Sequence, residues 1–200
     1  MAPSLTTLLK EIRSCQICVE APLKVPLPHA PRPVVQASKS ARLAVFGQAP
    51  GNLVHQTGVP FNDPSGERLR DWMGVTRDEF YDDERIAIIP MGFCFPGYDA
   101  KGGDLPPRKE CAAAWRARLM DALPNIETTI LVGGYAQKWH LGKGAKKTLT
   151  ETVTDWRDFT PANFPTPHPS WRNTGWLKKN PWFESDLLPV LKRRVRKLIG

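Results

Sequence analysis

Leu43-Ala44-Val45-Phe46-Gly47-Gln48-Ala49-Pro50-Gly51-Asn52 joins a short apolar run to a glycine, a polar residue and a Pro-Gly turn. An apolar run without alternation is the pattern of a strand buried on both faces, as in parallel sheets. The glycine and the turn end it abruptly. They leave free backbone N–H groups and the Gln48 side chain at the carboxyl edge of a sheet, where open α/β folds place their ligands. Three further segments end the same way. Ile86-Ala87-Ile88-Ile89 runs into Pro90-Met91-Gly92, Thr129-Ile130-Leu131-Val132 into Gly133-Gly134, and Asn163-Phe164-Pro165-Thr166-Pro167 into His168. Between the strands, apolar residues recur at helical spacing over Ser4–Ile17, Glu67–Met73 (with Asp63-Pro64-Ser65-Gly66 as its start), Glu110–Ala122, Tyr135–Leu141 and Asn180–Ile199. Alternating strands and helices predict a single domain over residues 1–200. Its fold is a three-layer α/β/α sandwich with a central, mostly parallel four-stranded sheet, and its site lies at the edge where all four strands end.

The 200 residues are 41% hydrophobic and 24% charged, an ordinary globular composition. No apolar run reaches the roughly 18 residues of a membrane span. The opening residues mix acidic and basic side chains and do not read as a signal peptide. A cytoplasmic protein is expected, nucleoid-associated in a bacterium, monomeric and without a membrane partner. The net charge of +8 points to a polyanionic partner, nucleic acid before an anionic lipid surface. The Pro-rich stretch over residues 21–37 has neither helical nor strand period and is expected to be an ordered, extended lead into the first strand. The basic face of the last helix reads as a solvated surface rather than a DNA contact.

Four cysteines, Cys15, Cys18, Cys94 and Cys111, form the second informative pattern. In a cytoplasmic protein disulfides are disfavoured, so the choices are a metal, a cluster or buried free thiols. The Cys15-Gln16-Ile17-Cys18 pair lets two thiolates reach one centre from a tight turn, and four thiolates can hold zinc or an iron–sulfur cluster. Spacing does not separate these. With no histidine nearby in sequence, such a centre reads as structural, pinning the N-terminal helix and the loop before Cys111 to the core.

Taken together, Gly47-Gln48-Ala49-Pro50-Gly51, Gly58-Val59-Pro60-Phe61, the four cysteines and His168-Pro169-Ser170 resemble, in order and separation, the motifs of the uracil-DNA glycosylase superfamily. The similarity is greatest to its iron–sulfur (family 4) type and spans most of the chain. It implies DNA as partner, base excision repair as the process and hydrolytic excision of uracil as the activity. It also turns the reading of Cys15, Cys18, Cys94 and Cys111 towards a [4Fe–4S] cluster, with zinc as the alternative. By the same resemblance His168 stabilises the departing base and Phe61 stacks on the flipped base. Gln48 and Ala49 meet its edge, while Ser65-Gly66 receives a backbone phosphate. Ser170, Trp171 and Arg172 form the loop that enters the duplex, and Lys178 and Lys179 neutralise phosphates. Without the resemblance, Phe61 reads equally as a core side chain and His168 as a surface loop residue.

The chain departs from the family pattern at three places. Gln48 stands where the family carries glutamate, and a carboxamide positions water or reads a base edge but cannot act as a general base. Pro90-Met91-Gly92 occupies the stretch where the superfamily places a uracil-reading asparagine, leaving Asn62 or Asn52 as substitutes and Met91 as a pocket wall. His55 stands where acidic residues are usual and is a candidate second catalytic or base-contacting group. These departures keep open excision of another base, such as hypoxanthine or an oxidised pyrimidine. They also keep open a non-catalytic DNA-binding role and, more remotely, a zinc-stabilised protein acting on nucleotides.

Overall fold

The computed structural model describes residues 3–200. Four strands, β1 (Leu43–Phe46), β2 (Ile86–Ile88), β3 (Thr128–Val132) and β4 (Asn163–Thr166), form one sheet in the order β2-β1-β3-β4. Every neighbouring pair is parallel: Leu43 lies opposite Ile86 and Thr128, and Thr129 opposite Asn163. Parallel strands need crossover connections, and the segments between them supply helices. Because β1 sits between β2 and β3, the chain leaves it towards one side of the sheet and later returns on the other. Such a switch point opens a crevice beyond the strand ends.

Helix α1 (Leu5–Arg13) begins at Ser4, whose Oγ accepts the Thr7 N–H at 3.2 Å. It stops short of the expected Ile17 because the Ser14 hydroxyl turns back onto the Lys10 and Glu11 carbonyls, which leaves Cys15 in a turn before α2 (Ile17–Glu20). There follow α3 (Asn52–Thr57), α4 (Pro64–Met73), α5 (Arg77–Tyr81), α6 (Lys109–Asp121), α7 (Gly134–Leu141), α8 (Leu149–Thr154), α9 (Thr174–Lys179) and α10 (Leu188–Ile199). Helices α3, α8 and α9 have six residues each, too few to show a hydrophobic period in sequence. The expected helix from Asn180 to Ile199 is interrupted by a wide π turn over Phe183–Leu187. Pro189, at the start of α10, has no N–H to donate to the preceding turn.

Alternating side chains of the sheet build two cores. Ala44, Phe46, Ala87 and Leu131 pack with α1, α6 and α7 on one face, whereas Leu43, Val45, Ile88 and Ile130 pack with α4, α8 and α10 on the other. Each large apolar side chain withdrawn from water contributes about 1.5–3 kcal/mol. A one-residue slip of β1 would exchange the two faces, so even a four-residue strand is held in register. The Pro-rich lead covers the outer edge of β2. The Gln36 N–H and carbonyl pair with Ile88 at 3.0 and 2.7 Å, and the Val34 N–H donates to the Phe93 carbonyl at 2.8 Å.

Candidate active site

Beyond the strand ends lies a cavity of about 80 Å³ that opens into a groove of about 590 Å³. Its walls come from the strand exits: Gly47, Gln48 and Ala49 after β1, Pro90 after β2 and His168 after β4, with Phe61 from the segment before α4. The β1 and β2 exits are tied together, Met91 N–H donating to the Gly47 carbonyl at 2.9 Å and Gly92 N–H to the Gln48 carbonyl at 3.0 Å. This pairing fixes where Gln48 enters the cavity.

Phe61 has φ 52°, a left-handed backbone that a bulky residue adopts only when its surroundings impose it. Two contacts impose it here. A Cβ on Gly66 would lie 1.8 Å from the Phe61 carbonyl oxygen, so the first turn of α4 approaches this backbone as only glycine permits. The Tyr81 hydroxyl donates to the neighbouring Pro60 carbonyl at 2.9 Å. The ring then lies over Gly47, whose Cβ position is 3.1 Å from Phe61 Cζ, and meets Phe80 edge-on at 6.1 Å. Phe61 is therefore part core and part pocket wall.

His168 is half-buried on a loop closed by Asn173, whose amide donates to the His168 carbonyl at 2.7 Å. The Ser170 N–H donates to His168 Nδ1 at 3.2 Å. That bond makes Nδ1 the acceptor and puts the ring proton on Nε2, the nitrogen left to an occupant. Burial pushes the pKa of His168 down, and the field of Asp63 opposes it weakly. At neutral pH the ring is an uncharged hydrogen-bond donor.

Two carboxylates to which the sequence assigns no pocket role line both cavity and groove: Asp63 and Asp104. Asp63 caps α4, accepting from Ser65 Oγ at 2.6 Å and Gly66 N–H at 2.9 Å. Arg68 was also missed; it donates to the Ser170 carbonyl at 3.1 Å and ties α4 to the loop after His168. An N-cap signature before α4 was visible in Asp63-Pro64-Ser65, whereas a pocket role for Asp104 had no local signal.

The other expected site residues divide clearly. Ser65, Ser170, Trp171 and Arg172 line the groove, and Trp171 is 76% exposed at its rim with the Arg172 guanidinium 5.8 Å from its ring. Lys178 and Lys179 are exposed at the end of α9. Gly66 is buried and its N–H is occupied by Asp63, so its place in the fold is the close approach to Phe61 rather than an open phosphate cradle. Met91 does not reach the cavity: it turns into the α1/α6 core, because the β2 exit alternates faces and only Pro90 points to the pocket side. Asn62 accepts from Arg77 at 3.1 Å outside the cavity. His55 packs on His29, ring centroids 4.2 Å apart, and near Phe95, since α3 turns that face away from the pocket. Burial, then His29 and Arg32, lower its pKa.

A family model described as the uracil DNA glycosylase superfamily matches residues 34–192. The chain belongs to this superfamily. Membership supports a DNA-glycosylase-like hydrolytic activity with DNA as substrate, and the cavity with its groove is the feature of this glycosylase-family fold that can hold a single base beside a strand. Among the described residues no helix is long and apolar enough to cross a membrane.

On the opposite side of the β2 exit, the glycosylase fold gathers its four cysteines, all as free thiols. Cys15 precedes α2, Cys18 lies in it, Cys94 follows β2 and Cys111 opens α6. Burial pushes Cys94 and Cys111 up to about 12 and raises Cys18, and across these three groups a charge on each neighbouring cysteine adds to the rise. The Phe93 N–H donates to Cys111 Sγ and the Trp115 indole N–H to Cys15 Sγ, both at 3.3 Å. As the side chains stand, no three His, Cys, Asp or Glu groups among the described residues converge as ligands of one ion. The surroundings nevertheless fit an anionic thiolate centre. Arg116, 1% exposed, has no ion-pair partner among the described residues; burial lowers its pKa to about 10, and Cys111 is the group that pulls it back up. The buried Arg116 near Cys111 and the N–H donors on Cys15 and Cys111 Sγ are groups that would stabilise thiolates there.

Proposed function

We propose that this protein is a monofunctional DNA glycosylase that flips uracil, or a related deaminated base, out of DNA and hydrolyses its glycosidic bond. The observation that carries the reading is the Ser170 N–H on His168 Nδ1 at 3.2 Å, which leaves Nε2 as the donor of a ring that lines the cavity. Cleavage of the bond between base and C1′ leaves negative charge on the pyrimidine and positive charge on the sugar. A preorganised neutral donor at the pyrimidine O2 stabilises that charge as it develops, without giving up its proton. Phe61 supplies the stacking face for the base and Gln48 a donor and acceptor for its edge. Trp171 and Arg172 fill the gap left in the duplex, with Ser65, Lys178 and Lys179 at phosphates.

Cys15, Cys18, Cys94 and Cys111 would hold a [4Fe–4S] cluster, or zinc as the alternative. Its contribution is structural, cross-linking the N-terminal segment, the loop after β2 and α6. The protein acts in the cytoplasm as a monomer. Iron and zinc analysis of the purified protein, with its visible absorption, separates the two metals.

A different base, such as hypoxanthine, is favoured by one observation: Gln48 is the one side-chain amide lining the cavity among the described residues, because Asn62 lies elsewhere. The test is a panel of duplex and single-stranded oligonucleotides carrying uracil, hypoxanthine or an oxidised pyrimidine, scored for abasic product. Uracil cleaved fastest is the expected result. Salt-sensitive DNA binding with no abasic product from any lesion would instead assign a non-catalytic, DNA-binding role.

A further inference from the structure

We infer that Asp104 is the carboxylate that holds and deprotonates the attacking water, replacing the acid that Gln48 does not provide. The inference rests on the glycosylase reading and adds a residue to it. Four observations lead there.

The first is position. Asp104 lines both the cavity and the groove, together with Gln48 and His168. Its Oδ2 lies 3.6 Å from where a Cβ on Gly51 would stand, so the carboxylate rests over the Pro50-Gly51 turn, on the same loop that presents Gln48.

The second is freedom. Asp63, the other carboxylate of the cavity, is committed to the cap of α4 through Ser65 and Gly66. Asp104 feels the fields of Arg172 and Asp63 but accepts no hydrogen bond from either. It is exposed on its groove side, so water reaches it.

The third is rigidity. Asp104 ends a small closed loop: Leu105 N–H donates to the Gly97 carbonyl at 2.9 Å, and Asp99 N–H to the Gly103 carbonyl at 2.7 Å. Asp99 Oδ1 accepts from Lys101 N–H at 2.8 Å and Gly103 N–H at 2.9 Å, and Tyr98 and Asp104 form an antiparallel bridge. Interior bonds of this kind position the carboxylate before any ligand arrives.

The fourth is protonation. Partial burial raises the pKa of Asp104, with Arg172 lowering it and Asp63 raising it again. A carboxylate of raised pKa is a better proton acceptor.

The step balances without a further reactant. The bond between C1′ and the base nitrogen breaks and its electron pair leaves with the base, whose O2 receives the hydrogen bond from His168 Nε2–H. The water oxygen forms the new bond to C1′, and its proton passes to Asp104. Solvent then takes that proton from Asp104, and the base anion is protonated from solvent, leaving an abasic sugar and free base.

The experiment compares wild type, Asp104→Asn and Asp104→Glu in single-turnover cleavage of the best substrate in the lesion panel, across pH, with duplex affinity and thermal melting measured alongside. Asp104→Asn is expected to slow cleavage at neutral pH by about 10²-fold or more, the scale of a lost general base. It should also abolish the fall in rate on the acidic side, while affinity and melting stay unchanged. Asp104→Glu should recover part of the rate and restore the acidic limb. Cleavage by Asp104→Asn at the wild-type rate, or a loss that keeps the acidic limb, overturns the role of Asp104 and leaves the glycosylase reading intact. A wild-type protein that cleaves no lesion overturns both.

Discussion

The pocket and the cysteine centre leave the same strand in opposite directions. After β2, Pro90 faces the cavity, whereas Met91, Phe93 and Cys94 turn into the core beneath α1 and α6. On the pocket side, His168 and Asp104 keep hydrogen-bonding capacity for a ligand and remain in contact with water. On the cysteine side, burial opposes ionisation: Cys94 and Cys111 rise to about 12, Arg116 falls to about 10, and His140, packed at a tilt against Phe46 with ring centroids 3.9 Å apart, falls to about 3. One region stays open to solvent at the strand ends; the other is closed off from it beneath α1 and α6. The same residue types have different chemistry because a few residues of chain decide which side of the sheet they occupy.

Substitutions that separate the two regions test this contrast. The largest effect is expected at His168. Replacing it with alanine removes the donor to the leaving base and should lower single-turnover cleavage by about 10²–10³-fold. Duplex affinity and melting temperature should change little, and a fall in stability instead would place His168 with the structural residues. At the cysteine centre the balance reverses. On the proposal that the four thiols hold a metal, Cys111→Ala should lose it together with about 2–4 kcal/mol of stability, the usual range for losing a covalent staple across a long loop. Retained metal with unchanged denaturant midpoints would show the four thiols to be independent core residues.

His140 gives the contrast a pH dependence. Its folded pKa is depressed by burial, with Arg116 adding to the effect, so the unfolded chain binds the proton more readily. The stability tied to the neutral ring is therefore complete above the unfolded value of about 6.5 and is lost progressively as pH falls towards about 3. His140→Leu should flatten the stability profile across that window, readable from denaturant midpoints at pH 7, 5 and 4. An equally steep profile would assign the acid sensitivity to other groups. The smallest effect is expected at the groove rim. Trp171→Ala should weaken DNA binding by about 1 kcal/mol, the lower end for a lost stacking contact, and leave stability untouched because the side chain is 76% exposed.

Much of the fold was legible because short-range rules governed it. The apolar runs at Leu43, Ile86 and Ile130, each cut off by glycine or proline, locate three strands and the edge where they end. Ser4 and Asp63 mark two helix starts. The six-residue helices were hidden because one and a half turns show no period. The break before α10 turned on the absence of a single N–H at Pro189. Gln48, Phe61 and His168, which line the cavity, stand out in sequence because each follows a turn signal on a strand exit or belongs to a motif. Met91, Asn62 and His55 were misplaced for the complementary reason. Each lies within a few residues of the pocket in sequence, yet alternation along the β2 exit and the rotation of α3 carry Met91 and His55 to other faces.

By itself, then, the sequence determined the layered α/β architecture, the edge that bears the site and the set of cysteines available to a metal, since periodicity, turn chemistry and composition are local properties. Tertiary structure alone decided which carboxylate is free. Asp63 and Asp104 are indistinguishable as aspartates, 41 residues apart by their numbering. Only folding shows that one is consumed by the cap of α4 while the other is held over Pro50-Gly51 with no side-chain hydrogen bond among the described residues, because hydrogen-bond commitment depends on neighbours the chain brings together in space. The stretch around Gln48 supplies the grip on the base, and the acid that this loop lacks arrives from a distant loop laid across it.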